Sequence, residues 1–289
     1  MNNFLGIREK KYCDFEKSKI VILPVPYEKT TTYIKGTQYG PAAIIKASVQ
    51  VEHYDDQLNQ ETYKMAGIAT AKPIKINHLS SQGMIQKAEK EVLRLLSLDK
   101  FVVCLGGEHS ITVGIVNAYR KFGNFTVLQL DAHYDLQNKY HGSEYNHGCV
   151  ARRISEKFPV VLAGTRSLSK DEAEFLKKTK QVTNFSNHTI FSDKDWIKKI
   201  IDFLSEKVYV SIDMDVFDPA FVPGVGTPEP GGLSWFDVIN LLEEIAKRKK
   251  VIGFDVVELK PEKNNIRSEF FAAKLIYRFL GYLLKHENI

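Results

Sequence analysis

Cysteine is scarce in this chain: three residues, Cys13, Cys104 and Cys149, with no CxxC pair. That excludes a disulfide framework and a thiolate zinc knuckle, and it fits reduced thiols in a cytoplasmic protein. No apolar run approaches the roughly 18 residues of a membrane span. The N-terminus carries Arg8, Glu9, Lys10 and Lys11 without the apolar stretch of a secretory signal. Internal repeats, low-complexity tracts and linkers rich in Pro, Gly or Ser are also missing. Charge of one sign has no focus either. The net charge of +5 comes from Lys and Arg scattered along the chain, which argues against a nucleic-acid or membrane partner. What is present is 289 residues, 44% apolar and 26% charged. That is enough for a full core and too ordered in composition for disorder, and it reads as one domain over residues 1–289.

Apolar, β-branched runs alternate with amphipathic stretches from end to end. Residues 19–23, 101–105, 125–130, 160–163, 208–212 and 251–257 read as strands. Between them Met84, Ala88, Val92 and Leu95 repeat at helical spacing, as do Trp196, Ile200 and Leu204, and Ile239, Leu242 and Ala246. Ser234 stands where the last of these helices needs an N-cap. Such alternation predicts a parallel sheet with helices on both faces. Two long loops interrupt it. Residues 24–41 are rich in Thr and Tyr and end where Pro41 can open a helix, and residues 217–234 carry four Pro and four Gly. Long irregular loops at strand ends commonly form lids or walls of sites.

Three of the runs end in metal-competent segments: Gly106-Gly107-Glu108-His109, Asp131-Ala132-His133-Tyr134-Asp135 and Asp213-Met214-Asp215. In open α/β sheets ligands bind outside the carboxyl ends of the strands. Four Asp and two His would therefore meet there, and a pair of divalent cations is the simplest compensation for that charge. If extension continues past the strand, Asp131, His133 and Asp135 share one side, and Asp213 and Asp215 repeat the geometry. One DxD or DxH alone is commonly a capped turn; three clusters after three strands are harder to dismiss. Oxygen-rich ligands with two imidazoles and no thiolate favour Mn²⁺, with Zn²⁺, Fe²⁺ or Co²⁺ also open. Ions in such sites sit roughly 3.5–4 Å apart and lower the pKa of a shared water. By alternation Glu108 points away from His109 and reads as structural. Asp218 opens an Asp-Pro turn. Asp255 and Glu258 lie on opposite faces, so only one of them looks into the site.

The chain resembles the ureohydrolases: arginase, agmatinase, formiminoglutamase and their relatives. The matching segments are GGEHSIT at Gly106, DAHYDL at Asp131, SIDMDVFDPAFVPGVGTPEPGGLS at Ser211 and GFDVVELKP at Gly253. PYEKTTTYIKGTQYGPAAI near the start and NHGCVARRI at Asn146 extend the likeness over most of the chain. The resemblance implies a three-layer α/β/α sandwich around a mostly parallel sheet. It also implies a binuclear manganese centre held by His109, Asp131, His133, Asp135, Asp213 and Asp215, with Asp131 and Asp215 as bridges. His147 matches the family's acid/base histidine, and Glu258 the glutamate that pairs with the substrate guanidinium; with Asp135 these make up the catalytic set. A planar guanidinium suits bidentate pairing with a carboxylate, and a histidine suits proton delivery to the leaving amine. The family tends to form trimers or hexamers, and the stretch 270–284, apolar on more than one helical face, would serve core packing and a subunit interface.

Arginases hold the α-carboxylate and α-amine of their substrate through an Asn after DAHxD and a Ser-rich approach to the acid/base histidine. Here Leu136-Gln137 follows Asp135 and KYHGSEYNHG leads to His147, a pattern similar to agmatinases. The implied reaction is agmatine plus water to putrescine and urea, a step of polyamine biosynthesis. Aminopropylagmatine and guanidinobutyrate remain close alternatives, with arginine and formiminoglutamate less favoured. Gln38 stands where many relatives have Arg, which would loosen a loop or subunit contact. A non-catalytic metal-binding relative would have lost His147, Glu258 or a ligand, and none is lost. A deacetylase of similar plan would bind one zinc with fewer carboxylates.

Overall fold

Runs of Val, Ile and Leu with no polar alternation cannot leave either face in water, so each must be covered on both sides. In the computed structural model, which describes residues 3–289, these runs become eight strands of one parallel sheet. They are β1 (Ile20–Val25), β2 (Ile68–Thr70), β3 (Phe101–Gly106), β4 (Thr126–Leu130), β5 (Val160–Thr165), β6 (Val182–Ser186), β7 (Lys207–Asp213) and β8 (Lys250–Val257). Their spatial order is β2-β1-β3-β8-β7-β4-β5-β6, and every pairing is parallel. The sequence runs anticipated six of these strands to within a few residues. The other two, β2 and β6, are the edges: β2 is three residues long and β6 reads Val-Thr-Asn-Phe-Ser, too short or too polar to stand out.

Alternation splits the core into two. Ile20, Ile22, Val103, Leu105, Leu128, Val210 and Phe254 join one cluster, with helices Gly40–Ser48, Trp235–Arg248 and Arg267–Lys285 on that face. Val21, Leu23, Val102, Cys104, Val127 and Tyr209 join the other, beneath helices Ser81–Leu96 and Ile111–Ala118. The result is a three-layer α/β/α sandwich. Ser234 is the expected N-cap, in a reciprocal capping box with Asp237, and Pro41 sits in the first turn of its helix. The apolar C-terminal helix is buried on most of its circumference, and its Arg278 pairs with the buried Asp55. No helix among the described residues is long and apolar enough to cross a membrane.

Topology places the chemistry. The four central strands β3, β8, β7 and β4 are neighbours. Their carboxyl ends deliver His109, Glu258, Asp213 and Asp131 respectively, at the place where strand order changes direction.

Candidate metal centre

Past β3 the chain must squeeze beside the loop after β1. A side chain at Gly107 would come within 2.1 Å of the Tyr27 carbonyl, so only glycine passes. This crossing aims His109 into the centre. Its Nδ1 lies 3.1 Å from Asp131 Oδ2, 3.2 Å from Asp135 Oδ2 and 3.2 Å from Asp213 Oδ2. Yet that buried nitrogen has no hydrogen-bond partner of acceptable geometry. A donor set converging on a common point, with its nitrogen unsatisfied, is the arrangement that fits a cation between the groups. A second group completes the site: His133 Nδ1 is 2.9 Å from Asp215 Oδ2 and 3.6 Å from Asp131 Oδ1. Ligand atoms of His109, Asp131 and Asp135 lie within 4.8 Å of one another, as do those of Asp131, His133 and Asp215. Asp131 belongs to both groups, one oxygen toward each, which suits a bridging carboxylate. Asp215 faces only the His133 group, its Oδ1 accepting the Ala132 N–H at 3.0 Å.

All six residues therefore meet, although not by continued extension. Asp215 lies in a 3-10 turn after β7, closed by the Asp213 carboxylate accepting its N–H at 2.9 Å. Asp135 turns into the centre through a left-handed backbone, φ 51°. Two such turns let side chains converge that a straight strand would spread over about 7 Å per alternate pair.

Electrostatics register the crowding. Burial, then the charge of Asp131, pushes Asp135 up to about 7, and burial with Asp215 and Asp131 pushes Asp213 well above the carboxylate range. Burial alone would lower His109 and His133, but the surrounding carboxylates outweigh it and raise both. Asp131, between the two imidazoles, is held low against its own burial.

Around the centre opens a cavity of about 430 Å³, lined by Thr31 to Ile34, His133, Asp135, Gln137, Tyr140, His147, Glu172, Gly226, Thr227 and Glu258 among others. Among the described residues, no Lys or Arg lines it. Both long loops thus contribute walls. Glu258 is the member of its pair that faces the cavity, again with a left-handed backbone (φ 60°), and its Oε1 accepts the His109 N–H at 2.6 Å. Burial and the Glu108 charge raise its pKa well above the ordinary range. Burial also lowers His147 to about 4, keeping its imidazole neutral near pH 7. Glu108 turns away from the centre: it accepts from Lys29 N, Thr30 N, Thr30 Oγ1 and Ser110 Oγ. Asp218 closes its loop by accepting from the Ala220, Gly231 and Gly232 amides. Gln38 makes a loop contact, its Oε1 accepting from Asn77 at 3.2 Å. Cys149 packs in the interior with its thiol pushed up to about 11 by burial.

Several supporting residues had been given no supporting role from the sequence. Asp255 accepts from Ser211, Tyr209 and Thr112, and the Ser211 hydroxyl lies 3.0 Å from His109 Nε2. Gln129 donates to Asp131 at 2.7 Å. Arg166 gathers the carbonyls of Asp215, Phe217 and Glu229, tying the loop after β7 to the sheet. Gln129, Ser211 and Asp255 carried a usable signal: each is a polar residue inside an otherwise apolar strand, where it must find a buried partner.

The chain has known relatives. Residues 18–281 match the arginase family model, and the chain belongs to the arginase family. Its members are ureohydrolases, hydrolases that act on guanidino compounds, and this chain is one of them. The N(1)-aminopropylagmatine ureohydrolase of Synechocystis sp. is 38% identical over 93% of this chain and 90% of its own length. The agmatinase of Pyrococcus horikoshii is 35% identical over 93% of each chain. Among solved structures, the agmatine ureohydrolase of Thermoplasma volcanium superposes with a TM-score of 0.84 at 34% identity, covering 94% of this chain and 92% of that one.

Proposed function

We propose that the whole chain, as one domain, hydrolyses the terminal guanidine of agmatine to putrescine and urea, a step of polyamine biosynthesis, using two Mn²⁺ ions. His109, Asp131, His133, Asp135, Asp213 and Asp215 would hold the ions, Asp131 shared between them. Ions held there would act as Lewis acids and bring water toward deprotonation at neutral pH. Glu258 pairs with the cationic guanidinium through the oxygen that His109 N–H leaves free, and so fixes its carbon over the acidic cluster. The C–N bond breaks only if the departing amine takes a proton; in this reading the neutral His147, which lines the cavity, carries it. In this reading the enzyme works in the cytoplasm as a homo-oligomer, a trimer or hexamer.

The observation that carries the substrate choice is the absence of Lys and Arg from the cavity wall, where Glu258 and Glu172 are present. A carboxylate on the substrate would find no cationic partner, whereas a second amine meets an acidic surface. That disfavours arginine. The name of the Synechocystis relative favours a second reading, in which the tail is an aminopropyl extension. Urea release by Mn²⁺-loaded protein, with agmatine, aminopropylagmatine and arginine run in parallel, separates these readings. Urea from arginine at a comparable kcat/KM refutes the argument from the cavity wall.

A further inference from the structure

Outside the six-residue cluster, the loop after β1 reaches His147 through one side chain. Thr30 does not line the cavity; its hydroxyl is surrounded instead by three partners. It lies 2.7 Å from Glu108 Oε1, 3.0 Å from the backbone nitrogen of His147 and 3.2 Å from His147 Nδ1. A threonine hydroxyl has one proton and two acceptor sites. Glu108 is fully buried and only accepts as a carboxylate, and three further donors already point at it. The contact to Glu108 is both the shorter and the charge-assisted one, so the hydroxyl proton goes there. Both acceptor sites then face His147: one takes the backbone N–H, and the other is satisfied only if Nδ1 carries hydrogen.

We propose that Thr30, anchored by Glu108, is a positioning residue that fixes His147 as the Nδ1–H tautomer and leaves Nε2 as its proton-exchanging atom. Resting on the hydrolytic reading above, this assigns the proton path. Water adding to the guanidinium carbon gives up a proton, which Nε2 takes. The same atom returns it to the amine nitrogen, which keeps the electron pair of the broken C–N bond; the O–H proton left on the carbon fragment then passes to the freed amine, giving urea and an ammonium. Nδ1–H stays on Thr30 throughout. The opposite tautomer would turn Nδ1 into an acceptor with no proton facing it and would block Nε2. Tyr140, packed edge-on against His147 with ring centroids 5.8 Å apart, limits rotation of the imidazole.

Two variants and one spectrum test this. Thr30→Val keeps the shape and the backbone N–H to Glu108 but removes the hydroxyl; Thr30→Ser restores it. The expected result is a kcat lowered about tenfold or more in Thr30→Val, with KM and metal content within about twofold, and recovery to within about threefold in Thr30→Ser. Nitrogen-15 spectra of histidine-labelled protein loaded with Zn²⁺, with His147 identified by comparison with His147→Gln, should show Nδ1 protonated in the wild type and a tautomer mixture in Thr30→Val. An Nε2–H signal in the wild type overturns the proposal, and so does an unchanged kcat in Thr30→Val; the spectrum decides even if that variant fails to fold. A wild type that releases no urea from any guanidine but shows Nδ1–H would refute the hydrolytic reading and leave the tautomer assignment standing.

Discussion

Replacing Asp213 by Asn should stabilise the metal-stripped protein while abolishing its response to metal. Asp213 is nearly fully buried, and its carboxylate shares the neighbourhood of His109 Nδ1 with Asp131 and Asp135. Two like charges about 5 Å apart in a medium of effective dielectric near 20 repel by about 3 kcal/mol. His109 offsets part of this, so removing one charge should return about 1–3 kcal/mol. Asparagine keeps the oxygen that accepts the Asp215 N–H, so the turn after β7 survives. The sign follows from the direction of the shift. A carboxyl whose folded pKa lies above its unfolded value near 3.9 binds the proton more tightly when folded, so stability falls as pH rises through that interval and the deficit is complete above it. At pH 7.5 in EDTA, thermal unfolding should therefore give the variant a Tm roughly 2–5 °C above wild type, given about 2.1 cal/mol/K per residue of unfolding entropy. Mn²⁺ at about 100 times its Kd should add about 2.7 kcal/mol to wild type, roughly 4 °C, and little to the variant. The ranking of the two proteins then narrows or reverses between buffers. A variant less stable in EDTA that still gains the full increment with Mn²⁺ refutes both the crowding and the ligand role of Asp213.

Glu258→Gln should retain both ions by metal analysis and lose about a hundredfold or more in urea release, because the neutral amide no longer pairs with the guanidinium; retained turnover would place that pairing elsewhere. Cys149, buried with its thiol pushed up to about 11, should resist a thiol reagent at pH 8 while the more exposed Cys13 reacts, as peptide mapping would reveal. Arg278→Met leaves the buried Asp55 carboxylate without its cation and should cost about 3–5 kcal/mol in urea unfolding; a loss below about 1 kcal/mol would mean the pair is dispensable.

Legibility in the sequence followed burial on two faces. Central strands such as β3 and β7 declare themselves because nothing polar can sit on either side, and the abrupt arrival of charge at their ends marks the site. Edge strand β6 has one free flank and tolerates Thr183 and Asn184, so its pattern blurs. The six clustered residues were legible as types and spacings, but their convergence depends on left-handed Asp135 and the 3-10 turn at Asp215, which residue alternation cannot foresee. The link from Thr30 to His147 spans 117 positions and joins two loops, so no local pattern encodes it.

The left-handed backbones at Asp135 and Glu258 set this enzyme's limits under directed evolution. Such conformations cost a non-glycine residue on the order of 1 kcal/mol or more, a strain glycine escapes. A selection that rewarded heat resistance alone would therefore favour glycine at these two positions, gaining robustness while dismantling the centre. A thermostability library for this chain should hold 135 and 258 constant and seek its gains at the exposed Asp99 and Glu287, where the same backbone strain occurs away from the cavity.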